Sequence, residues 1–334
     1  MKIAINGFGR IGRTFFRAAH ELGLNIVAAN DLCDLKTLAH LIKYDSTYGK
    51  FPGKIEVSDN NLVVDNKKIE IFSEKEPEKL PWQKFGIDLV IESTGVFVEY
   101  DLAAKHLTAG AERVLVTAPA KGEKPVKTFV LGVNEDKFEP AEDKVISMAS
   151  CTTNALVPIA DVLHKNFGID KGMLNTVHSV TMDQRLQDSP HKDLRRARSV
   201  LESIIPTTTG ATIATSKVLP ELEGKMDGIS LRVPIPTVSV IDFVAVLEKN
   251  VTKNEVNAAF EKASKDGKYK GSIAVTKEPL VSADFKSNPA GAIVDLELTQ
   301  VVGQNLVRII AWYDNEMGYS YRLAEFVKYI SEKS

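Results

Sequence analysis

Residues 2–12 read Lys-Ile-Ala-Ile-Asn-Gly-Phe-Gly-Arg-Ile-Gly, an apolar run that passes into a glycine-rich turn. Lys2–Asn6 is a short apolar run with branched side chains, the pattern of a buried strand. It stops at Gly7, and a helical pattern, Ile11–Leu22, runs on until Gly23. Gly7, Gly9 and Gly12 therefore stand with G-x-G-x-x-G spacing between a strand and a helix, the context that gives this otherwise weak motif meaning. Gly7 permits a tight turn, Gly9 lets backbone approach a pyrophosphate, and Gly12 lets helix and strand pack closely. The amides around Arg10 and Ile11, at the helix start, would hold the phosphates. A second strand, Ile26–Asn30, ends at Asp31. A carboxylate there accepts hydrogen bonds from both ribose hydroxyls and repels a 2′-phosphate, which favours NAD over NADP. The plain alternative is a turn with Asp31 capping the next helix.

The same alternation continues through the first half of the chain. Leu35–Tyr44 and Leu102–Ala109 read as helices, Asp88–Glu92 and Arg113–Thr117 as strands, and Lys54–Phe72 as an antiparallel hairpin insertion. Strands alternating with helices predict a Rossmann-type, doubly wound parallel α/β sheet. After about residue 150 the texture changes. A helix is expected over Asn154–Phe167, with Pro158 in its first turn, where proline is tolerated. Strands follow at Leu174–His178, Ile229–Val233, Val238–Glu248, Ile293–Leu298 and Val307–Asp314. These predict an α+β domain with a mixed or antiparallel sheet. Gln184–Pro206 is polar and Arg-rich without a clear period, a long loop of the kind that usually carries function. The chain ends in a predicted helix, Ser320–Ser334.

Composition narrows the function classes. A chain of 334 residues suggests about two domains. Its 42 basic and 44 acidic residues leave a net charge of −2, which argues against a basic nucleic-acid binder. No apolar run is long enough for a membrane span, and the N-terminus lacks the layout of a signal peptide. The two cysteines, Cys33 and Cys151, form no Cys-x-x-Cys pair. A disulfide framework and a structural zinc site are therefore not expected, and a reducing cytoplasm suits the chain. The histidines show no metal-ligand spacing.

Cys151 lies in Ala-Ser-Cys-Thr-Thr-Asn-Ala, between the strand-like Val145–Ser147 and a predicted helix. A helix N-terminus biases a thiol toward thiolate. His178 ends an apolar run, and a strand end could set its imidazole against the sulfur as ion-pair partner and general acid/base. Taken bare, such a pair also suits a structural role. Ser150, Thr152, Thr209-Gly210 and Arg232 supply the hydroxyls, amides and guanidinium that a phosphate needs. The Arg195-Arg196-Ala197-Arg198 cluster adds positive charge, with a solvated or subunit-contact surface as its bland reading. Cys33 reads as a small filler.

With these motifs the sequence resembles the phosphorylating glyceraldehyde-3-phosphate dehydrogenases along essentially its whole length. The resemblance is carried by Ile-Asn-Gly-Phe-Gly-Arg-Ile-Gly-Arg from Ile5, Lys-Tyr-Asp-Ser-Thr from Lys43 and Glu-Ser-Thr-Gly-Val-Phe from Glu92. It continues in Ala-Pro-Ala-Lys-Gly from Ala118, Ser-Cys-Thr-Thr-Asn from Ser150, Leu-Arg-Arg-Ala-Arg from Leu194 and Trp-Tyr-Asp-Asn-Glu from Trp312. It implies a cytoplasmic homotetramer of glycolysis and gluconeogenesis. The expected domains are an NAD-binding domain over 1–149, with a C-terminal helix 315–334 packed on it, and a catalytic domain over 150–314. It further implies that Cys151 attacks glyceraldehyde 3-phosphate to give a thiohemiacetal and that His178 takes the hydroxyl proton as hydride leaves. Inorganic phosphate then releases the thioester as 1,3-bisphosphoglycerate, and the Cys151 amide and His178 stabilise the oxyanion.

Position by position, the resemblance puts substrate phosphate on Thr181 and Arg232. It puts inorganic phosphate on Ser150, Thr152, Arg196, Thr209 and Gly210, and NAD on Arg10, Ile11, Asp31, Lys75, Thr117 and Asn315. Residues 184–203 match a loop that reaches a neighbouring subunit's cofactor. Leu32 and Pro190 look like NAD-using members. No metal, membrane or nucleic-acid partner is implied. Three positions depart from the common pattern: Ala155 replaces a frequent second cysteine, Met317 a frequent tryptophan, and Val180 an aromatic residue. The nearest alternative is an erythrose-4-phosphate dehydrogenase, with the same pair and cofactor but a free acid as product.

Overall fold

A computed structural model describes residues 1–333. The chain divides into two compact units, one of 1–129, 136–149 and the stretch from Leu323 onward, the other of 130–135 and 150–322.

Among the described residues the first unit holds a nine-stranded sheet. From one edge the order is Lys127–Thr128, Val145–Ser147, Arg113–Val116, Leu89–Glu92, Ile3–Asn6, Ile26–Asn30, Lys67–Phe72, Asn61–Val64 and Ile55–Ser58. The first seven run parallel and the last two antiparallel. The expected hairpin is thus a three-strand meander that extends the sheet. Ile3–Asn6 and Leu89–Glu92 are buried throughout, which is why they read as unbroken apolar runs: a parallel sheet is covered on both faces. In register, Asn6 pairs with both Asn30 and Glu92. Three polar side chains therefore meet at the carboxyl ends of adjacent strands, where open α/β sheets bind ligands.

The first helix spans Arg10–Glu21 and buries Gly12, Phe15, Phe16, Ala18 and Ala19. Each phenylalanine contributes about 1.5–3 kcal/mol by burial. The helix ends where Gly23 takes φ +70°, a conformation that suits glycine. Instead of one helix over Leu102–Ala109 there are two short ones, Tyr100–Ala103 and Lys105–Thr108.

The second unit holds an eight-stranded mixed sheet. Ile169–His178 runs parallel to Met226–Arg232 and antiparallel to Ser239–Leu247, which pairs antiparallel with Leu306–Tyr313. Ser239–Leu247 alternates strictly between buried and half-exposed positions, the mark of a sheet with one covered face. Ile241, Phe243, Ala245 and Leu247 join one apolar core with Leu156, Ile159 and Leu163 of the helix Cys151–Phe167 and Val256 and Phe260 of the helix Lys253–Ala263.

The helix Cys151–Phe167 begins earlier than the sequence suggests, because Ser150 caps it. Pro158 therefore lies in the helix interior, not the first turn. The C-terminal helix, Met317–Lys333, also starts early. Asp314 Oδ1 accepts from the amides of Glu316 and Met317 at 3.0 and 2.9 Å, a capping arrangement.

Candidate active site

In the first unit, a cleft of about 370 Å³ opens beside the glycine turn. Gly7, Gly9, Asp31 and Lys75 of the expected cofactor residues line it, together with Asn6, Asn30, Leu32, Glu74, Ser93, Thr94, Val96 and Phe97. Gly7 takes φ +90°. A Cβ on Gly12 would lie 2.1 Å from Gly7 O, whereas one on Gly9 would meet nothing within 4 Å. The turn is closed beneath Gly12 and open above Gly9. No side chain caps the first turn of the helix that starts at Arg10, so its amides offer an anion site. Asp31 Oδ2 accepts from Phe8 N at 2.6 Å and Oδ1 from Cys33 N at 2.8 Å. The two bonds fix the carboxylate at the rim. An open glycine cradle, an uncapped helix start and an anchored carboxylate fit a dinucleotide whose ribose hydroxyls are unmodified. The Arg10 guanidinium turns to Asp45 at 2.6 Å, leaving its backbone amide as the part directed by the turn. Thr117 is tied to Glu92 O through its amide and hydroxyl, at 3.0 and 3.1 Å.

In the second unit, Cys151 is the first residue of its helix. Ala149 just before it holds φ +52°, an uncommon conformation for a side chain-bearing residue. Ser150 Oγ accepts from Thr153 N at 3.1 Å. Cys151 Sγ lies 3.4 Å from His178 Nε2. His178 and Arg232 are register partners at the ends of parallel strands, which is why residues so far apart in sequence meet. His178 Nδ1 lies 2.7 Å from Ser179 O and 2.5 Å from Arg232 Nη1. The carbonyl can only accept and the guanidinium can only donate, so Nδ1 serves one or the other. Donation to Ser179 O leaves the Nε2 lone pair on the sulfur side.

The sequence reading expects a thiolate paired with an imidazolium. Burial acts against those charges. It pushes the Cys151 thiol up, opposed first by the Arg232 charge and then by Thr152 and the helix amides. Burial, and then Arg232, lower His178 to about 3. Both shifts favour the uncharged forms of thiol and imidazole.

Of the other expected phosphate residues, Thr152 acts on the Cys151 thiol and Arg196 on Arg232, while Thr181, Thr209 and Gly210 are engaged locally. Thr152 Oγ1 meets Tyr313 Oη at 2.9 Å, and Thr176 Oγ1 meets the same phenol at 2.8 Å. Burial, then the nearby Cys151, raises Tyr313. Arg196 pairs with Asp183 at 2.5 Å and Asp193 at 3.2 Å, and its charge acts on Arg232. Thr181 is engaged locally, its amide and hydroxyl both donating to Gln184 Oε1. Thr209 and Gly210 stand at the N-terminus of the helix Ala211–Val218, where Thr209 Oγ1 accepts from Ala211 N. Asn315 Oδ1 accepts from Ser179 Oγ and Ser239 Oγ at 2.8 and 2.9 Å. Sequence reasoning missed Tyr313, Ser179, Asn6, Asn30 and Thr94. Tyr313, Asn6 and Thr94 carried a signal, from their places in the Trp-Tyr-Asp-Asn-Glu, Ile-Asn-Gly-Phe-Gly-Arg-Ile-Gly-Arg and Glu-Ser-Thr-Gly-Val-Phe motifs. Among the described residues, no cluster of three or more His, Cys, Asp or Glu could hold a metal ion, and no helix is long and apolar enough to cross a membrane.

Comparison with known proteins gives the same picture along the whole chain. Residues 1–100 match the family model described as glyceraldehyde 3-phosphate dehydrogenase, NAD binding domain, and 150–315 match its C-terminal domain. A glyceraldehyde-3-phosphate dehydrogenase of Geobacillus stearothermophilus is 53% identical over 100% of this chain and 99% of its own length. Proteins named glyceraldehyde-3-phosphate dehydrogenase from Streptomyces coelicolor and glyceraldehyde-3-phosphate dehydrogenase 1 from Bacillus subtilis are each 51% identical, with the same coverage.

Proposed function

The chain belongs to the glyceraldehyde-3-phosphate dehydrogenase family, and on that premise we propose that Cys151 and His178 carry an NAD-dependent, phosphorylating aldehyde oxidation. The reaction converts D-glyceraldehyde 3-phosphate, NAD and inorganic phosphate to 1,3-bisphosphoglycerate, NADH and a proton, a step of glycolysis and gluconeogenesis. The observation that supports the assignment of residues is the thiol at a helix start, 3.4 Å from an imidazole.

The chemistry follows from the neutral pair. His178 Nε2 takes the thiol proton as Sγ attacks the aldehyde carbon, then returns it to the new oxygen, giving a thiohemiacetal. The Cys151 amide and His178 stabilise charge on that oxygen. Bound NAD, held at Gly7, Gly9, Asp31 and the amides of Arg10 and Ile11, supplies the hydride acceptor. His178 removes the hydroxyl proton as the carbon is oxidised to a thioester. Inorganic phosphate at Ser150, Thr152, Arg196, Thr209 and Gly210 then attacks the acyl carbon. The sulfur leaves and is reprotonated by His178. Thr181 and Arg232 hold the substrate's own phosphate. Once Arg232 turns to that phosphate, His178 Nδ1–H is free to donate to Ser179 O, which presents Nε2 as the base.

The enzyme works as a homotetramer in the cytoplasm. Exposed Met173 and Ile229 on the outer sheet face, and Leu186, Leu194 and Leu201 in the loop region, support association. Two unpaired cysteines suit a reducing compartment. The test is NADH formation from glyceraldehyde 3-phosphate with NAD and phosphate, before and after iodoacetate. Activity that survives alkylation, or full activity in Cys151→Ser, refutes the covalent route. Activity unchanged without phosphate or arsenate favours the erythrose-4-phosphate reading.

A further inference from the structure

Beneath the dinucleotide cleft lies a buried polar cluster that no step of the reaction uses. Glu92, at the end of the strand Leu89–Glu92, is 1% exposed. Its Oε2 accepts from Asn6 Nδ2 at 2.6 Å and faces His106 Nε2 at 3.1 Å. Its Oε1 accepts from Thr94 N at 2.8 Å and from the Thr94 hydroxyl. His106, fully buried, also receives Trp82 Nε1–H at Nδ1, at 2.9 Å. An indole nitrogen only donates. Nδ1 is therefore an acceptor, and the ring hydrogen sits on Nε2, facing Glu92. Four donors thus converge on one carboxylate, filling the places at which its oxygens accept.

Two chains of hydrogen bonds leave this carboxylate for the cleft. Through Thr94 Oγ1, which accepts from Val96 N at 3.1 Å, it shapes the turn after the strand. Through Asn6, whose Oδ1 accepts from Asn30 Nδ2 at 2.7 Å, it reaches Glu74. There Asn30 bonds both the backbone N and O of Glu74, at 2.8 and 2.9 Å. Asn6, Asn30, Glu74, Thr94 and Val96 all line the cleft.

We propose that Glu92 is a positioning residue for the cofactor, oriented by His106 and Trp82, that presets several walls of the cleft before NAD arrives. A wall already ordered spares the binding step the cost of ordering it. The proposal rests on the reading of this cleft as the NAD site.

Glu92→Gln tests it with a change of one atom. Whichever way the amide faces, its N–H₂ meets two donors, so one wall loses its anchor. The affinity of the purified cofactor-free protein for NAD, measured by calorimetry, should fall about tenfold, one misplaced buried hydrogen bond. KM for NAD should rise and KM for glyceraldehyde 3-phosphate stay put, with Cys151 alkylated by iodoacetamide at the parent rate. A purely structural role predicts a lower melting temperature with parent affinity, and that result overturns the proposal. Should the variant fail to fold, Trp82→Phe decides: removal of the orienting N–H should weaken NAD binding by about threefold, a fraction of one hydrogen bond, and parent affinity overturns it. A parent protein that binds no NAD overturns the cleft assignment, and this proposal with it. A binding parent with an unaffected Glu92→Gln overturns the proposal alone.

Discussion

Two glycines of the same turn should respond to alanine in opposite ways. A methyl on Gly12 would sit 2.1 Å from Gly7 O and 3.1 Å from both Gly7 C and Ser93 Oγ. The first two are backbone atoms, so the turn itself must move. Such overpacking costs about 1–3 kcal/mol, partly offset by the about 1 kcal/mol that alanine gains over glycine in a helix interior. A methyl on Gly9 meets nothing within 4 Å, and its φ of −67° is open to any residue. Gly9→Ala should therefore leave stability unchanged or raise it by about 0.4–1 kcal/mol through the unfolded state. Its methyl would instead stand where the pyrophosphate approaches the helix amides. Loss of a charge-assisted hydrogen bond costs about 1.5–3 kcal/mol, or roughly tenfold to a hundredfold in NAD affinity. Urea unfolding and calorimetric titration with NAD measure the two quantities separately. Gly12→Ala should lose both, Gly9→Ala only affinity. A Gly9→Ala protein that binds NAD like the parent, or that is destabilised as much as Gly12→Ala, refutes the reasoning.

Three further outcomes follow from the site. His178 is held neutral with a pKa of about 3, below its ordinary 6.5. Its stabilising contribution is whole above about pH 6.5 and is lost as pH falls toward the folded value, roughly 3 kcal/mol of it by pH 4. Urea titrations between pH 7 and 4 should show this decline, and a smaller one in His178→Asn; equal declines would remove His178 as its source. The same His178→Asn variant should turn over roughly two to four decades more slowly, and a parent-like rate and pH profile would exclude it as the acid/base. Asp31→Ala removes the carboxylate held by Phe8 N and Cys33 N. The ratio of kcat/KM for NADP to that for NAD should rise, and unchanged discrimination would refute the ribose role.

The parts of the site that could be read in advance are local in sequence. Gly7, Gly9, Gly12 and Asp31 are spaced by one strand–turn–helix–strand unit, so their arrangement is set by elements already visible in the hydrophobic pattern. Cys151 at a helix start was legible for the same reason, although the helix begins at Cys151 because the Ser150 hydroxyl takes the Thr153 amide. What could not be read depends on strand register. Nothing in the string of residues says that Asn6 aligns with Glu92 and Asn30, or that the indole of Trp82 points at His106. The electrostatics were also out of reach. A helix N-terminus alone argues for a thiolate, while the surrounding protein that reverses the sign is assembled from several strands. Helices such as Ala211–Val218 escaped because a Thr- and Ala-rich stretch carries a weak amphipathic signal.

The pairing of His178 with Arg232 is fixed by two strands that run side by side in the same direction. Side chains on a strand alternate between faces, so a slip of one position turns the whole row over. Inserting or deleting one residue within Ile169–His178 would send the imidazole to the far side of the sheet, away from the sulfur, without altering any residue at the reaction centre. This stretch should accept replacement of Lys171, whose side chain is exposed, yet refuse any change in length. For this fold, counting residues between a strand's start and its catalytic end matters as much as their identity.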